Sequence, residues 1–161
     1  MKKLMCLVLS LGAGVANAGS LGEGLRGKRW GESVEAAPSP VCGRESDNSW
    51  ICTEKVGDVE VDVSYGKLED HQLYSVVMTH KGFAGCQTLL NTLSEAWGRG
   101  GKNEYDSSPL PKMTWFTLGA IGSFEYNRYS DRCTILAMST SLYREKERED
   151  KKKAAKAASS L

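Results

Sequence analysis

One stretch of the chain, residues 83–100, combines helical periodicity with a cysteine, and it limits the folds that the rest of the chain can adopt. Its apolar residues recur at offsets of three, four, seven and eleven from the first, which places them on one face of a helix. Gly98 follows, and glycine readily adopts the left-handed conformation that ends many helices. The stretch therefore predicts an amphipathic helix of about four turns. Its apolar positions are Cys86, Leu89, Leu90, Leu93 and Trp97.

Short β-prone runs surround this helix. In GDVEVDVSYG, at 57–66, apolar residues alternate with acidic or polar ones, which is typical of a strand with one buried face. The run LYSVVMTHKG, at 73–82, is apolar on both faces, which favours a central strand covered on two sides. Four further runs have strand character: SWICTEKV at 49–56, MTWFTL at 113–118, GSFEYNRY at 122–129 and CTILAMSTSLY at 133–143.

The order of these elements, β-β-β-α-β-β-β, predicts the fold class. Every connection between strands is short except the one that the helix occupies, so hairpins dominate and the sheet is largely antiparallel. The helix buries its apolar face only by lying on that sheet. We therefore predict a small α+β domain with one amphipathic helix packed on one face of an antiparallel sheet.

The first 18 residues have the features of a secretory signal peptide. Lys2 and Lys3 give a basic start, the run LMCLVLSLGAGVA is apolar, and Ala16-Asn17-Ala18 is a small-x-small cleavage site. A membrane anchor is the alternative, but the run is shorter than the roughly 20 apolar residues of a spanning helix. We therefore predict a secreted or periplasmic protein of bacterial type, with no transmembrane anchor after signal removal.

Composition divides the chain into four segments. Residues 1–18 are the signal peptide, 19–49 a flexible arm rich in glycine, proline and charge, 50–143 the α+β domain, and 144–161 a charged tail that is helical or disordered. The full chain has 21 lysines and arginines and 20 aspartates and glutamates. Because two lysines leave with the signal peptide, the rest is close to neutral, and we expect no specific nucleic-acid partner.

Four cysteines follow the signal peptide, and an even number in an exported chain predicts two disulfides. Cys42 and Cys52 are close in sequence, where the arm meets the first strand. Cys86 lies on the apolar face of the helix, and Cys133 begins the last strand. A helix that crosses the sheet can bring the Cα atoms of these two residues within the distance that a disulfide requires. We prefer the pairs Cys42–Cys52 and Cys86–Cys133 among the three connectivities that four cysteines allow.

The alternative for Cys86 is a reactive thiol. Its place in the first helical turn stabilises a thiolate, and His80 lies six residues earlier as the partner for a dyad. Its position among buried leucines and the oxidising compartment both oppose this alternative. We therefore predict a structural role for Cys86.

Few residues have the chemistry or the spacing of a catalytic or metal site. The histidines are His71 and His80, near the two ends of the third strand, and no common catalytic motif occurs. Glu60 and Asp62 share a strand face at about 7 Å, which is compatible with acid–base catalysis, although such acids usually only face solvent. We predict no metal and no cofactor. A small exported hydrolase using carboxylates or His71 and His80 is kept as an alternative.

Two basic segments are candidates for binding. Arg26, Lys28, Arg29 and Trp30 form a cluster suited to an anionic surface, although we favour a solvated arm whose tryptophan docks on its own domain. The tail REKEREDKKKAAKAASSL has no apolar stripe, so it is expected to be a frayed, solvated helix. An accessory envelope or structural protein that acts through this tail is a further hypothesis.

The aromatic residues of the strands give the leading hypothesis. Most should be core, but some, with Tyr74 and Tyr129 as candidates, can stand on the exposed sheet face beside Glu60 and Asp62. Tyrosine and tryptophan are favoured at interfaces, so such a face is an amphipathic binding surface. We therefore predict an exported binding protein that holds another protein or an envelope component through the open face of its sheet.

Overall fold

The structure, a computed structural model, describes residues 20–25, 27–34, 42–46, 49–102, 106 and 108–159. The predicted signal peptide, residues 1–18, and Arg26 lie outside the described residues. The elements of the described part are β1 Gly24–Leu25, β2 Lys28–Arg29, β3 Gly43–Ser46, β4 Ser49–Val56, β5 Val59–Lys67, β6 Leu73–Lys81, α1 Phe83–Trp97, β7 Gly101–Lys102, β8 Met113–Thr117, β9 Ala120–Asn127, β10 Arg132–Ser139 and α2 Thr140–Ala158.

Eight of these strands form one antiparallel sheet, in the order β3-β4-β5-β6-β10-β9-β8-β7. The pairing of β6 with β10 joins the strands that precede α1 to those that follow it. The six predicted strands are β4–β6 and β8–β10, so the α+β class with an antiparallel sheet is confirmed. The additional strands β3 and β7 lie at the two edges and have only four and two residues, too few to show a period of two.

Alternation along β5 shows how the sheet separates its two faces. Val61 and Val63 are buried, with 1% and 0% exposure, whereas Glu60 and Asp62 are exposed. The predicted half-buried strand is therefore confirmed. The face that carries the valines is called the core face below, and the face that carries Glu60 and Asp62 is called the open face.

Helix α1 covers the core face with the stripe that the sequence predicts. Each leucine that it buries stabilises the fold by about 1.5–3 kcal/mol relative to an exposed leucine. Trp97, in the last turn, packs edge-on against Trp115 of β8, with 5.3 Å between the ring centroids. Gly98 then takes a φ of 78°, which glycine adopts without strain. The buried side chains of α1 are Cys86, Leu89, Leu90 and Leu93.

Two disulfides are formed, and both are the preferred pairs. Cys86 and Cys133 join α1 to β10, with 5.7 Å between their Cα atoms, and both are fully buried. Cys42 and Cys52 join the segment before β3 to β4, with 4.0 Å between their Cα atoms. The reactive-thiol alternative for Cys86 is therefore wrong. Two disulfides are consistent with an oxidising compartment.

The arm departs from the sequence prediction. Strands β1 and β2 pair with each other, and Leu21 and Leu25 are 1% and 2% exposed within the core. Ser33 forms a bridge with Gln72, which ties the segment to the turn before β6. The expectation of a flexible arm is wrong for residues 20–25 and 27–34, because isolated leucines in a glycine-rich stretch give no periodic signal and are buried only by tertiary contact.

Helix α2 begins earlier than the sequence predicts. The pattern extends a strand to Tyr143, but β10 ends at Ser139 and the helix starts at Thr140. The Ser139 hydroxyl accepts a hydrogen bond from the main-chain N–H of Leu142 at 3.5 Å. A serine N-cap satisfies one of the free N–H groups of the first helical turn, and this cap ends the strand.

One side of α2 is docked on the domain. Leu142, Lys146 and Glu149 are half-buried at helical spacing, while the other side chains from Ser141 to Ser159 are exposed. Lys153 pairs with Glu69 at 2.8 Å, and this hydrogen bond raises the pKa of Lys153. The expectation of a fully solvated tail is wrong for this side, because polar contacts dock the helix where an apolar stripe is missing. Neither described helix has the length and apolar character needed to cross a bilayer.

Candidate functional site

The open face is the candidate functional surface because α1 and the arm both pack on the other side of the sheet. The disulfide between Cys86 and Cys133 fixes α1 on the core face. The arm packs on the same side, since a Cβ atom at Gly122 would lie 2.7 Å from the Trp97 ring and 3.0 Å from Leu21. In the described part of the chain, α2 docks at one end of the sheet, where Tyr143 contacts Tyr74 and the open-face residue Ser75 is only 8% exposed, and it leaves the rest of the open face uncovered.

Strand register brings five apolar side chains together on the open face. Val77 of β6 lies opposite Leu136 of β10. Met138 of β10 lies opposite Ile121 of β9, which in turn lies opposite Phe116 of β8. Residues directly opposite on neighbouring strands have Cβ atoms about 4.5–5.5 Å apart. These five side chains therefore form one continuous surface, which we call the apolar strip.

The apolar strip is accessible to a partner. Phe116 is 74% exposed. The other four members of the strip are half-buried, as expected for side chains with neighbours on a sheet but no covering layer. Contiguous exposed apolar surface on a soluble domain usually marks an interaction site.

Sequence reasoning missed the apolar strip, although one signal for it was present. The run that forms β6 is apolar on both faces, which predicted a strand covered on two sides. The structure confirms a central position for β6, but its core-facing apolar residues are Leu73, Val76 and Met78 alone. The other apolar face, with Val77, belongs to the strip.

The other half of the open face is charged. Glu60, Asp62, Lys81 and Arg132 lie around a shallow cavity of about 230 Å³. The Thr53 hydroxyl donates to the Asp62 carboxylate at 3.3 Å. The strand neighbours of both acids are polar or charged, so the expectation of aromatic residues beside Glu60 and Asp62 is wrong. The buried aromatic side chains of the strands, Tyr65, Trp115 and Phe124, face the core instead.

His80 has a structural environment and is not placed as a catalytic base. Its Nδ1 atom is 2.6 Å from the main-chain oxygen of Glu60. Its Nε2 atom faces the start of α1, where a Cβ atom on Gly85 would lie 2.1 Å away. Because Cys86 is in a disulfide, the Cys86/His80 dyad is excluded. The ring therefore connects β5 to the first turn of α1.

Replacing Gly85 with alanine is expected to lower the free energy of unfolding by about 1–2 kcal/mol, because the new methyl group displaces the His80 ring. This net loss already includes an opposing gain of about 1 kcal/mol, because alanine favours a helix more than glycine does. Urea denaturation of Gly85→Ala, His80→Ala and the double variant gives the coupling. The double variant should lose clearly less stability than the two single losses combined. Additive losses would contradict this packing.

His71 also has a structural role. It takes a φ of 68°, unusual for a residue with a side chain, in the turn between β5 and β6. Its Nδ1 atom is 3.1 Å from Nζ of Lys67, which is only 4% exposed and lies over the Trp50 ring. Its main-chain oxygen accepts the N–H of Val34 at 2.9 Å. His71 and His80 lie at opposite ends of β6 and do not form a common site.

Tyr74 and Tyr129, the two aromatic candidates for binding, lie at opposite ends of the sheet. Tyr74 is the extra residue where the register of β5 and β6 shifts, and its ring lies 6.4 Å from that of Tyr143 in α2. It helps to dock α2. Tyr129, in the turn between β9 and β10, is 87% exposed and lies under the guanidinium group of Arg128, 5.0 Å from the ring centre. It remains accessible but lies apart from the apolar strip.

The basic cluster of the arm is held by internal contacts. The indole N–H of Trp30 donates to the main-chain oxygen of Leu21 at 2.9 Å, so the favoured docking of this tryptophan is confirmed. Lys28 pairs with Glu32 at 3.4 Å. The main-chain N–H of Arg29 donates to the Glu32 carboxylate at 3.0 Å and lowers the pKa of that carboxyl. Trp30 is therefore not placed to insert into a membrane or a partner.

No group of three or more histidine, cysteine, aspartate or glutamate side chains is arranged to hold a metal ion in the described part of the chain. Comparisons with models of protein families, with curated proteins and with solved structures found no match to this chain.

Proposed function

We propose that this chain is an exported binding protein that holds another protein through the apolar strip on the open face of its sheet. The observation that carries the proposal is the register that joins Val77, Leu136 and Met138 to Ile121 and Phe116 without a covering layer among the described elements. Burial of such a surface supplies the main favourable free energy of most protein association.

The surroundings of the apolar strip have the composition of an interface rim. Protein interfaces usually combine an apolar centre, depleted of charge, with a polar and charged border. Here the strip is bordered on the same face by Ser123, Thr134 and, further along the strands, by the charged group around Arg132. Charged groups of this kind give specificity and orientation more than affinity.

The shape of the open face favours a macromolecular partner over a small substrate. Small-molecule sites are usually concave, with cavities of about 300–1,000 Å³ and a few converging polar groups. The charged cavity on this face is shallow, and its histidine is held by Glu60 and Gly85. A flat sheet with an apolar strip instead matches the surface of another protein. The proposed export is supported by the two disulfides.

A photo-crosslinking amino acid at Val77 tests the proposal in the producing cell. We expect it to give one dominant adduct with a second protein, whereas the same group at Thr79, two residues along the same face, gives little or none. The partner is then identified by mass spectrometry and purified. Adducts of equal yield from both positions would contradict a specific site on the strip.

Two variants with altered affinity then test whether the partner binds the apolar strip or the rest of the open face. Leu136→Asp should weaken binding of the purified partner at least about tenfold, since a buried carboxylate without a pair is costly. Thr134→Asp, two residues away on the same face of β10, is the matched control and should retain near-normal affinity. Calorimetric titration measures both, after thermal unfolding has shown that each variant is folded. Equal losses in the two variants would overturn the proposal.

A further inference from the structure

Helix α2 presents a cationic stripe on the side away from the domain. Its docked stripe is Leu142, Lys146 and Glu149, which are half-buried. A second stripe of exposed side chains lies about half a revolution around the helix from the docked stripe. Its three residues are spaced at offsets of zero, four and seven along the chain. That outward stripe is Arg144, Arg148 and Lys151.

Two of the four acidic residues of α2 are engaged by contacts away from this outward stripe. Glu149 is on the docked stripe, where its carboxylate accepts the main-chain N–H of Glu69. Asp150 forms an ion pair with Lys146. No acidic residue follows Asp150 in the sequence, whereas four lysines do. Glu145 and Glu147 are exposed beside the stripe, but the lysines after Asp150 leave the exposed side and the free end of α2 with a net positive charge.

A fully exposed leucine lies beside the start of α2. Leu118 occupies the tip of the hairpin between β8 and β9, where it is 101% exposed. The main-chain oxygen of the next residue, Gly119, accepts a hydrogen bond from the main-chain N–H of Thr140 at 2.9 Å, so the tip contacts the first turn of α2. Arg144 follows one turn later. An apolar tip and a cationic helix face thus lie at the same end of the molecule.

We propose that this end of the protein, Leu118 together with the outward stripe of α2, binds an anionic phospholipid surface. An apolar side chain that enters the acyl boundary and basic side chains that contact anionic headgroups are the two signals that together give stable interfacial binding. A nucleic acid would use the basic residues but would give Leu118 no apolar environment. This surface is separate from the proposed protein-binding role of Val77 and Leu136, and the two activities are independent.

Vesicle flotation with the purified chain, lacking residues 1–18, tests this proposal. We expect binding to vesicles of phosphatidylglycerol and phosphatidylethanolamine, weaker binding to pure phosphatidylcholine, and loss of most binding in 0.5 M salt. Neutralising Arg148 and Lys151 together, as Arg148→Gln and Lys151→Gln, should lower the partition coefficient about 25-fold, at about fivefold per basic residue. Leu118→Asp should lower it about tenfold or more.

Matched controls remove the same groups at the other end of the sheet. The double variant Lys81→Gln and Arg132→Gln loses two exposed cations, and Tyr129→Ser loses an exposed apolar side chain. Both should bind vesicles like the parent, as should Leu136→Asp, which tests the apolar strip alone. If the charge variant fails but Leu118→Asp binds normally, the contact is purely electrostatic and the proposed site, which requires Leu118, is wrong. Equal binding to neutral and anionic vesicles would also overturn it.

Discussion

Replacing Cys86 and Cys133 together with alanine is expected to lower the free energy of unfolding by about 4 kcal/mol. The disulfide closes a loop of 47 residues, so it removes much of the conformational freedom of the unfolded chain. It also joins α1 to β10, a strand from the half of the sheet that follows the helix. Urea denaturation of the oxidised parent and the double variant measures the difference.

The pair Cys42–Cys52 provides the internal comparison. Its loop spans only 10 residues, so the double alanine variant should lose about 3 kcal/mol on the same entropic argument. Alanine at both positions avoids a free thiol that would form new disulfides. A loss from the Cys86–Cys133 variant of less than about 1 kcal/mol would show that this bridge adds little to the packing of α1 on the sheet.

The parts of the fold that the sequence predicted are those with a clear period. In α1, apolar residues at helical spacing from Cys86 to Leu93 match the buried stripe, and in β5 alternating valines match the buried face. Such patterns arise because one continuous element buries one continuous face. The disulfide pairing followed from the same reasoning, since it required only that Cys86 face the sheet and that Cys133 lie beneath it.

The elements that escaped prediction depend on contacts that no local pattern records. Leu21 and Leu25 stand among glycines and charged residues, and only docking on the core face buries them. In STSLY, the first five residues after Met138, a strand-like pattern conceals the N-cap at Ser139 that begins α2. Tertiary contact overrides weak local preference in both cases.

The residues of the candidate site could not be predicted from the sequence. The sequence predicted a binding face on the open side of the sheet and indicated Glu60 and Asp62 for it, and the structure places both acids on the charged half of that face. The apolar strip joins Val77 to Leu136 across two strands that are distant in sequence. Register between such strands is set by the whole sheet, so composition alone cannot show which side chains become neighbours.

Replacing Leu21 and Leu25 together with alanine is expected to lower the free energy of unfolding by at least about 4 kcal/mol. Each side chain is almost fully buried in the core cluster, and a buried leucine replaced by alanine typically costs about 2–5 kcal/mol. Urea denaturation measures the change. The control is Leu118→Ala, which removes the same atoms from a fully exposed leucine and should change stability by no more than about 0.5 kcal/mol.

Limited trypsin digestion of the same variants separates a docked arm from a flexible one. Lys28 and Arg29 form strand β2, and the N–H of Gly31 donates to the main-chain oxygen of Leu73 at 2.9 Å, so cleavage in the parent requires local opening. The Leu21/Leu25 variant should be cut after these residues much faster than the parent, before the sheet unfolds. Rapid cleavage in the parent, together with a stability loss below about 1 kcal/mol, would mean that the hairpin adds nothing to the fold, and the arm would then be the flexible segment that its composition suggests.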